Sequence, residues 1–135
     1  MTDSDLSYRI AGDYLAAVTA GDLPDAMLTE DMTAWITTGG TMSKSAYQQV
    51  IRLLARMCAT PIQFTVDAIT AEGDRVLAEA RSTATLINGE VYKNTYVFAF
   101  RIRDGKFAHI AEHYNALATQ EKLMPLMAEL RAGQG

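Results

Sequence analysis

Glu112, Tyr96, Tyr114, Asn94 and Asn115 all stand within one stretch, Asn94 to Asn115 (NTYVFAFRIRDGKFAHIAEHYN), whose other residues are rich in aromatics and aliphatics. The stretch reads as two long strands joined at Asp104-Gly105, so these polar groups sit on a sheet face that should otherwise be core. Burying such groups unpaired costs about 1–3 kcal/mol each, so they need partners or a ligand. A carboxyl group against an apolar wall is a candidate general base or acid, because burial raises its pKa. Phenols and an amide beside it are candidate donors to a developing oxyanion. Glu112 is therefore the expected base, with Tyr96 and Asn94 orienting a ligand carbonyl. The other reading of Glu112 is a structural ion pair with an arginine across the sheet or a solvent-facing carboxylate, and of Tyr96 and Asn94, satisfied polar groups within the core.

Several elements must position these residues. Leu6, Ile10, Tyr14 and Ala17-Val18 recur at helical spacing from a polar start around Thr2 to Ser4, and Gly21 supplies the stop. Asp22 then caps a short second helix with Pro24 in its first turn. Ala34 to Thr38 is a brief strand around Trp35, closed by Gly39-Gly40. Ser43 is a good N-cap for a third helix, Lys44 to Ala59, whose apolar face is Tyr47, Val50-Ile51, Leu54 and Met57-Cys58; Pro61 bars its continuation. From Ile62 the period changes to two. Turn signals at Glu72-Gly73-Asp74, Asn88-Gly89 and Asp104-Gly105 divide the rest into a four-stranded antiparallel meander near 62–70, 75–87, 90–103 and 106–115. A final amphipathic segment, Gln120 to Arg131, is limited in regularity by Pro125. Helices followed by a meander predict an α+β domain spanning residues 1–135.

Hairpin register turns the elements into a site. A two-residue loop at Asn88-Gly89 sets Glu79 opposite Phe98, Arg81 opposite Tyr96 and Thr83 opposite Asn94. For the last hairpin, a two-residue Asp104-Gly105 loop faces Tyr96 with His113, whereas a three-residue loop from Arg103 faces Tyr96 with Glu112 and Asn94 with Tyr114. The second register gathers Phe98, Phe100 and Ile110 on one face and is preferred. A row Arg81–Tyr96–Glu112 then crosses three strands, with Arg81 tuning Glu112. Glu79 either flanks Arg81 in the pocket or forms a charged pair at the sheet rim. Trp35 and Phe98 are expected as apolar pocket lining. The opposite face (Ala80, Ser82, Ala84, Val97, Ala99, Ala111) is small and flat, which suits a homodimer through the outer sheet face.

Composition excludes several classes. Across 135 residues the formal net charge is −4 and no basic stripe occurs, which argues against a nucleic-acid partner. No apolar run approaches the roughly 20 residues of a membrane span, and the polar, acidic start is unlike a signal peptide. One cysteine, Cys58, allows neither an internal disulfide nor a thiolate cluster. His109 and His113, with no third ligand nearby, make only a weak metal signal. The expectation is a cytoplasmic protein with no metal and no cofactor.

The order of helix, short helix, strand, helix and curled meander resembles the nuclear-transport-factor-2-like superfamily, and within it SnoaL-like proteins, the polyketide-cyclase and ketosteroid-isomerase-related group. The resemblance rests on Ala20-Gly21-Asp22, Gly73-Asp74-Arg75-Val76, Asn94-Thr95-Tyr96-Val97-Phe98, Arg103-Asp104-Gly105-Lys106 and Glu112-His113-Tyr114-Asn115. It implies a cone-shaped barrel, a curved sheet wrapped around three N-terminal helices with a C-terminal helical tail, a pocket open at one end, and frequent dimers. Tyr14 falls where ketosteroid isomerases keep the tyrosine of their oxyanion hole. Their general base would fall at Ile36 and their protonated aspartate at Phe98, and neither residue can move a proton. Glu112 falls on the catalytic aspartate of limonene-epoxide-hydrolase-like members. Their arginine would lie near Ala80 or Arg81, and their water-positioning Tyr and Asn would fall at Ala34 and Ile36. Asn115 replaces the aspartate that ends this strand in typical SnoaL-like members. The resemblance thus implies a small hydrophobic or cyclic organic ligand and cofactor-free isomerase, cyclase or hydratase/dehydratase chemistry. The alternatives are a non-catalytic binding or dimerisation module and an epoxide-hydrolase-like enzyme.

Overall fold

A computed structural model describes residues 3–134. Helix α1 (Asp3–Ala20) is followed by a single 3-10 turn (Asp25–Met27), strand β1 (Leu28–Ile36), strand β2 (Gly40–Ser43) and helix α2 (Lys44–Met57). Strands β3 (Gln63–Glu72), β4 (Arg75–Thr85), β5 (Val91–Arg103) and β6 (Lys106–Tyr114) form the meander. A helical tail closes the chain: α3 (Ala116–Ala118), a π turn (Thr119–Leu123) and α4 (Met124–Gln134). The expected α+β class holds. Thr2, part of the anticipated polar start of the first helix, lies outside the described residues.

Local chemistry accounts for the boundaries. Gly21 ends α1 at φ +90°, where a side chain would be strained and a Cβ would meet that of Ala55 at 2.9 Å. Ser43 caps α2, its Oγ accepting from the Ala46 N–H at 3.2 Å. Pro125, in an ideal α-helix, would push its ring into a carbonyl one turn earlier. The wide turn just before it lets the Met124 N–H reach the Thr119 carbonyl, and the tail stays helical. The anticipated second helix is only the one 3-10 turn, because the strand after it starts at Leu28 rather than at Ala34.

All six strands form one sheet in the order β2-β1-β6-β5-β4-β3. The pairings are antiparallel except β1 with β6, which is parallel and sets Ile36 beside Glu112. Along β4 and β5 burial alternates strictly, with Val76, Ala78, Ala80, Ser82 and Ala84 facing inward opposite Phe100, Phe98, Tyr96, Asn94 and Tyr92. Small residues on β4 leave space for the aromatics of β5. Tyr14 of α1 packs edge-on against Phe98, Phe100 and Phe107, with ring centroids 5.3, 5.0 and 5.9 Å away.

Both hairpin registers differ from those expected, with unequal consequences. In the first, Leu86 pairs with Glu90 across a three-residue loop, Ile87-Asn88-Gly89, because the Ile87 N–H is taken by the Met57 carbonyl at the end of α2. That one-residue shift places Arg81 opposite Thr95 and Glu79 opposite Val97, on the outer face, and turns Ala80, Ser82 and Ala84 inward. In the second, Asp104 and Gly105 both take positive φ and form a two-residue turn, with Arg103 opposite Lys106. A register shift between Arg101 and Ile102 then places Phe98 opposite Glu112 and Tyr96 opposite Tyr114. Glu112 therefore faces inward as expected, but one pair further along than the row Arg81–Tyr96–Glu112 required.

Candidate functional site

Between the inner face of the sheet, α2 and the tail lies a cavity of about 320 Å³. This is at the small end of the roughly 300–1,000 Å³ typical of ligand pockets. Its wall is built from Val50, Leu53, Leu54 and Met57 of α2 and from Leu123, Met124 and Met127 of the tail. Helical spacing brings each set to one face. Polar groups enter from the sheet: Glu112 and Tyr114 from β6, and Tyr92 and Tyr96 from β5.

Glu112 is the centre of this arrangement. Behind it, away from the cavity, the Tyr47 hydroxyl donates to its Oε2. The Tyr14 and Tyr47 hydroxyl oxygens lie 2.5 Å apart, and both residues are almost fully buried. Desolvation pushes the Glu112 carboxyl up to about 7, while the hydrogen bonds from Tyr47 and Tyr14 hold it below what burial alone would impose. Burial, and the nearby carboxylate, raise both tyrosines well above the ordinary phenol range, so they remain donors. A carboxyl balanced near neutrality, with one side on an apolar cavity, can take or give a proton. Its backbone is pinned as well: the Thr37 N–H and hydroxyl both donate to the Glu112 carbonyl, at 3.2 and 3.1 Å.

Other hydroxyls line the cavity in fixed positions. Tyr96 is hydrogen-bonded to Ser82 (2.7 Å) and stacks on Phe98 with centroids 4.9 Å apart. Tyr114 is bonded to the Thr38 hydroxyl at 2.5 Å and accepts from the Thr38 N–H at 3.3 Å. Burial raises the pKa of both phenols.

Among the residues anticipated for the site, Glu112, Tyr96 and Tyr114 come together on the cavity. Phe98 lies beneath it as core. Tyr14 stands behind Glu112 and does not line the cavity; it reaches the site only through its hydrogen bonds to Tyr47 and Glu112. Arg81 is on the outer face, bonded to Asp67 at 2.9 Å, and Glu79 is exposed beside it; neither can tune Glu112. Trp35 is also on the outer face, its ring 4.8 Å from that of His113. Strand alternation explains the placement, since Ala34 and Ile36 are the inward residues of β1. Asn94 is spent on structure: its amide nitrogen donates to Tyr92, Asn115 and Thr119, and its oxygen accepts from the Thr95 and Asn115 N–H groups. Asn115 is the N-cap of α3, its side chain accepting from the Leu117 N–H at 3.0 Å.

Tyr47, Tyr92, Thr37 and Thr38 were not anticipated. Tyr47 was legible as part of the apolar stripe of α2, and a phenol in such a stripe needs a partner for its hydroxyl. That partner, Glu112, is 65 residues away in sequence.

Comparison with known proteins adds the family. The SnoaL-like domain matches residues 11–110. Among solved structures, an NTF2-like protein from Anabaena variabilis is 24% identical with a TM-score of 0.73, covering 85% of this chain and 93% of that one. A candidate isomerase from Bacillus subtilis is 17% identical (TM-score 0.76; 90% and 95% covered). A candidate SnoaL-like polyketide cyclase from Jannaschia is 14% identical (TM-score 0.72; 88% and 92% covered). At these identities the likeness establishes the fold alone. No curated protein matches the sequence.

Proposed function

We infer the function of this chain from the family to which it belongs, the SnoaL-like family of the nuclear-transport-factor-2-like superfamily, and from the site this member carries. It binds a small hydrophobic organic molecule in the cavity between the sheet and α2, and catalyses cofactor-free proton transfer on it. The reaction is an isomerisation, cyclisation or dehydration that begins with proton abstraction beside a carbonyl. The observation that carries this reading is Glu112: a carboxyl with a pKa of about 7, facing an open apolar cavity and braced from behind by two phenols.

In this reading the Glu112 carboxylate removes the substrate proton, holds it as the neutral acid, and returns it at another atom. Tyr47 stabilises the carboxylate before the transfer, and Tyr14 holds Tyr47 in place. Tyr96 and Tyr114 offer hydroxyls to the developing oxyanion. Ile36 and Phe98, the positions matched to the base and protonated aspartate of ketosteroid isomerases, pair with Glu112 from the two neighbouring strands. One carboxyl thus lies between the places where the resemblance implied two. An epoxide-hydrolase-like reaction has less support, because Ala80 faces inward and Arg81 is bonded to Asp67 outside. A homodimer through the outer face, which exposes Leu77 and Val97, and a reducing compartment that suits the single Cys58 complete the proposal.

The test is deuterium exchange of α-protons in a panel of cyclic ketones and β-dicarbonyl compounds, followed by proton NMR at pH 7.5. Exchange above the buffer rate that falls at least about 100-fold in Glu112→Gln is expected. Ligand binding without exchange across the panel would leave a binding module as the function.

A further inference from the structure

Among the described residues, two with formal charge line the cavity: Glu112 from the sheet and Arg131 from the exposed end of the tail. Met124, Met127 and Arg131 follow one another at helical spacing along α4, so the face that presents two thioethers to the cavity presents a guanidinium one turn further out. Among the described residues Arg131 has no ion-pair partner, whereas Arg52 of α2 is held by Asp22 at 3.1 Å. Arg131 also borders a neighbouring groove that shares Met42, Val50 and Leu53 with the cavity. Arg52 and Arg56, one turn apart on α2, line that groove, and no Asp or Glu does. In a chain of net charge −4, three guanidinium groups therefore border the groove next to the cavity, Arg52 among them paired with Asp22.

We propose that the ligand is an amphipathic organic anion, its apolar body beside Glu112 and its carboxylate or phosphate held by Arg131 at the mouth. A guanidinium offers parallel N–H donors that match the oxygens of either group. Charge separation along the cavity also fixes direction: Glu112 repels the anionic end and Arg131 attracts it, so the neutral end reaches the carboxyl. The inference rests on the cavity being the ligand site, and it names the class of ligand.

A matched pair of fluorescent probes tests it. 1-Anilinonaphthalene-8-sulfonate and N-phenyl-1-naphthylamine share an aromatic body and differ in the sulfonate. The sulfonate probe should bind wild type about three- to tenfold more tightly than the neutral one at low salt. Arg131→Gln should erase that preference without changing affinity for the neutral probe, and 1 M NaCl should weaken it. Octanoate and octyl phosphate should displace the sulfonate probe where octanol does not, the stronger of the two naming the anionic group. Equal binding of both probes, or a preference that survives Arg131→Gln, overturns the anion site alone. Loss of neutral-probe binding in Leu54→Trp, which fills the cavity, is expected; a neutral probe that fails to bind, or binds Leu54→Trp as well as wild type, removes the cavity reading beneath it.

Discussion

Replacing Glu112 by Gln should make the protein more stable at pH 8 while removing the proposed proton transfer. In the unfolded chain this carboxyl titrates near 4.5, and in the folded protein near 7. Below the unfolded value it is neutral in both states and folding bears no penalty. Between the two values the unfolded chain ionises and the folded chain does not, so stability falls as pH rises. Above about 7 both states are ionised and the loss is complete. The separation from 4.5 to about 7, at 1.36 kcal/mol per unit, amounts to about 3 kcal/mol. That is a large share of the roughly 5–15 kcal/mol that holds a domain together. Gln keeps the shape and can still accept from Tyr47, but it carries no charge. Asp25, Asp31 and Asp67 have pKa values lowered by their hydrogen-bonded partners, and their stabilisation is lost only as pH falls through those lowered values. They are common to both proteins and cancel in the difference. Urea denaturation from pH 4.5 to 8 measures it: the two proteins should be nearly equal at pH 4.5, with the variant about 3 kcal/mol more stable at pH 8 and its m-value unchanged. A difference that stays flat across this range, or a wild type that is the more stable at pH 8, would refute the burial argument.

Tyr47→Phe removes the donor to Glu112, an interaction with a charged group worth about 1.5–3 kcal/mol, and should raise the carboxyl pKa by about 1–2 units. Carbon-13 NMR of the Glu112 Cδ, assigned with Glu112→Gln, reads the shift, and a titration still centred near 7 would show that Tyr47 does not support the carboxylate. Asn94→Leu should cost about 2–4 kcal/mol in urea denaturation, because the Asn115 N–H loses its acceptor and Tyr92 and Thr119 lose their donor; a loss below about 1 kcal/mol would mean that the clamp is dispensable. Arg81→Ala should leave both the urea midpoint and α-proton exchange unchanged, since its partner Asp67 is exposed on the outer face. A loss of exchange there would restore the arginine to the site.

What could be read in advance follows from where each signal resides. Alternation along β4 and β5 and the Gly-containing turns are local, and the four meander strands lie within about two residues of their expected ends. The length of β1 was hidden because Glu30 and Asp31 interrupt its alternation, leaving only the end around Trp35 legible. The first hairpin went astray through a bond no local rule contains, the Ile87 N–H to the Met57 carbonyl, and that single slip exchanged Arg81 and Glu79 for Ala80 and Ser82 on the inner face. The second hairpin is instructive in the other direction. Its loop is one residue shorter than preferred, which turns Phe107 inward, and the bulge beyond it restores the parity, so Glu112 and Ile110 still turn inward. Asn94 and Asn115 were noticed for the right reason, as polar groups that needed partners. Those partners proved to be each other, Tyr92, Thr119 and the start of the tail.

The parallel pairing of β1 with β6 also sets a schedule. Along one edge β1 has only the four-residue β2 for a neighbour, and along the other it has none until β6 arrives about 70 residues later in the chain. At roughly 5–20 residues per second, a nascent chain carries that open edge for about 4–14 s. During that interval the Tyr14 and Tyr47 hydroxyls have each other but no carboxyl, and Thr37 has no carbonyl from Glu112 to hold. The first strand waits on the last, and the Glu112 carboxyl is among the final pieces to be installed.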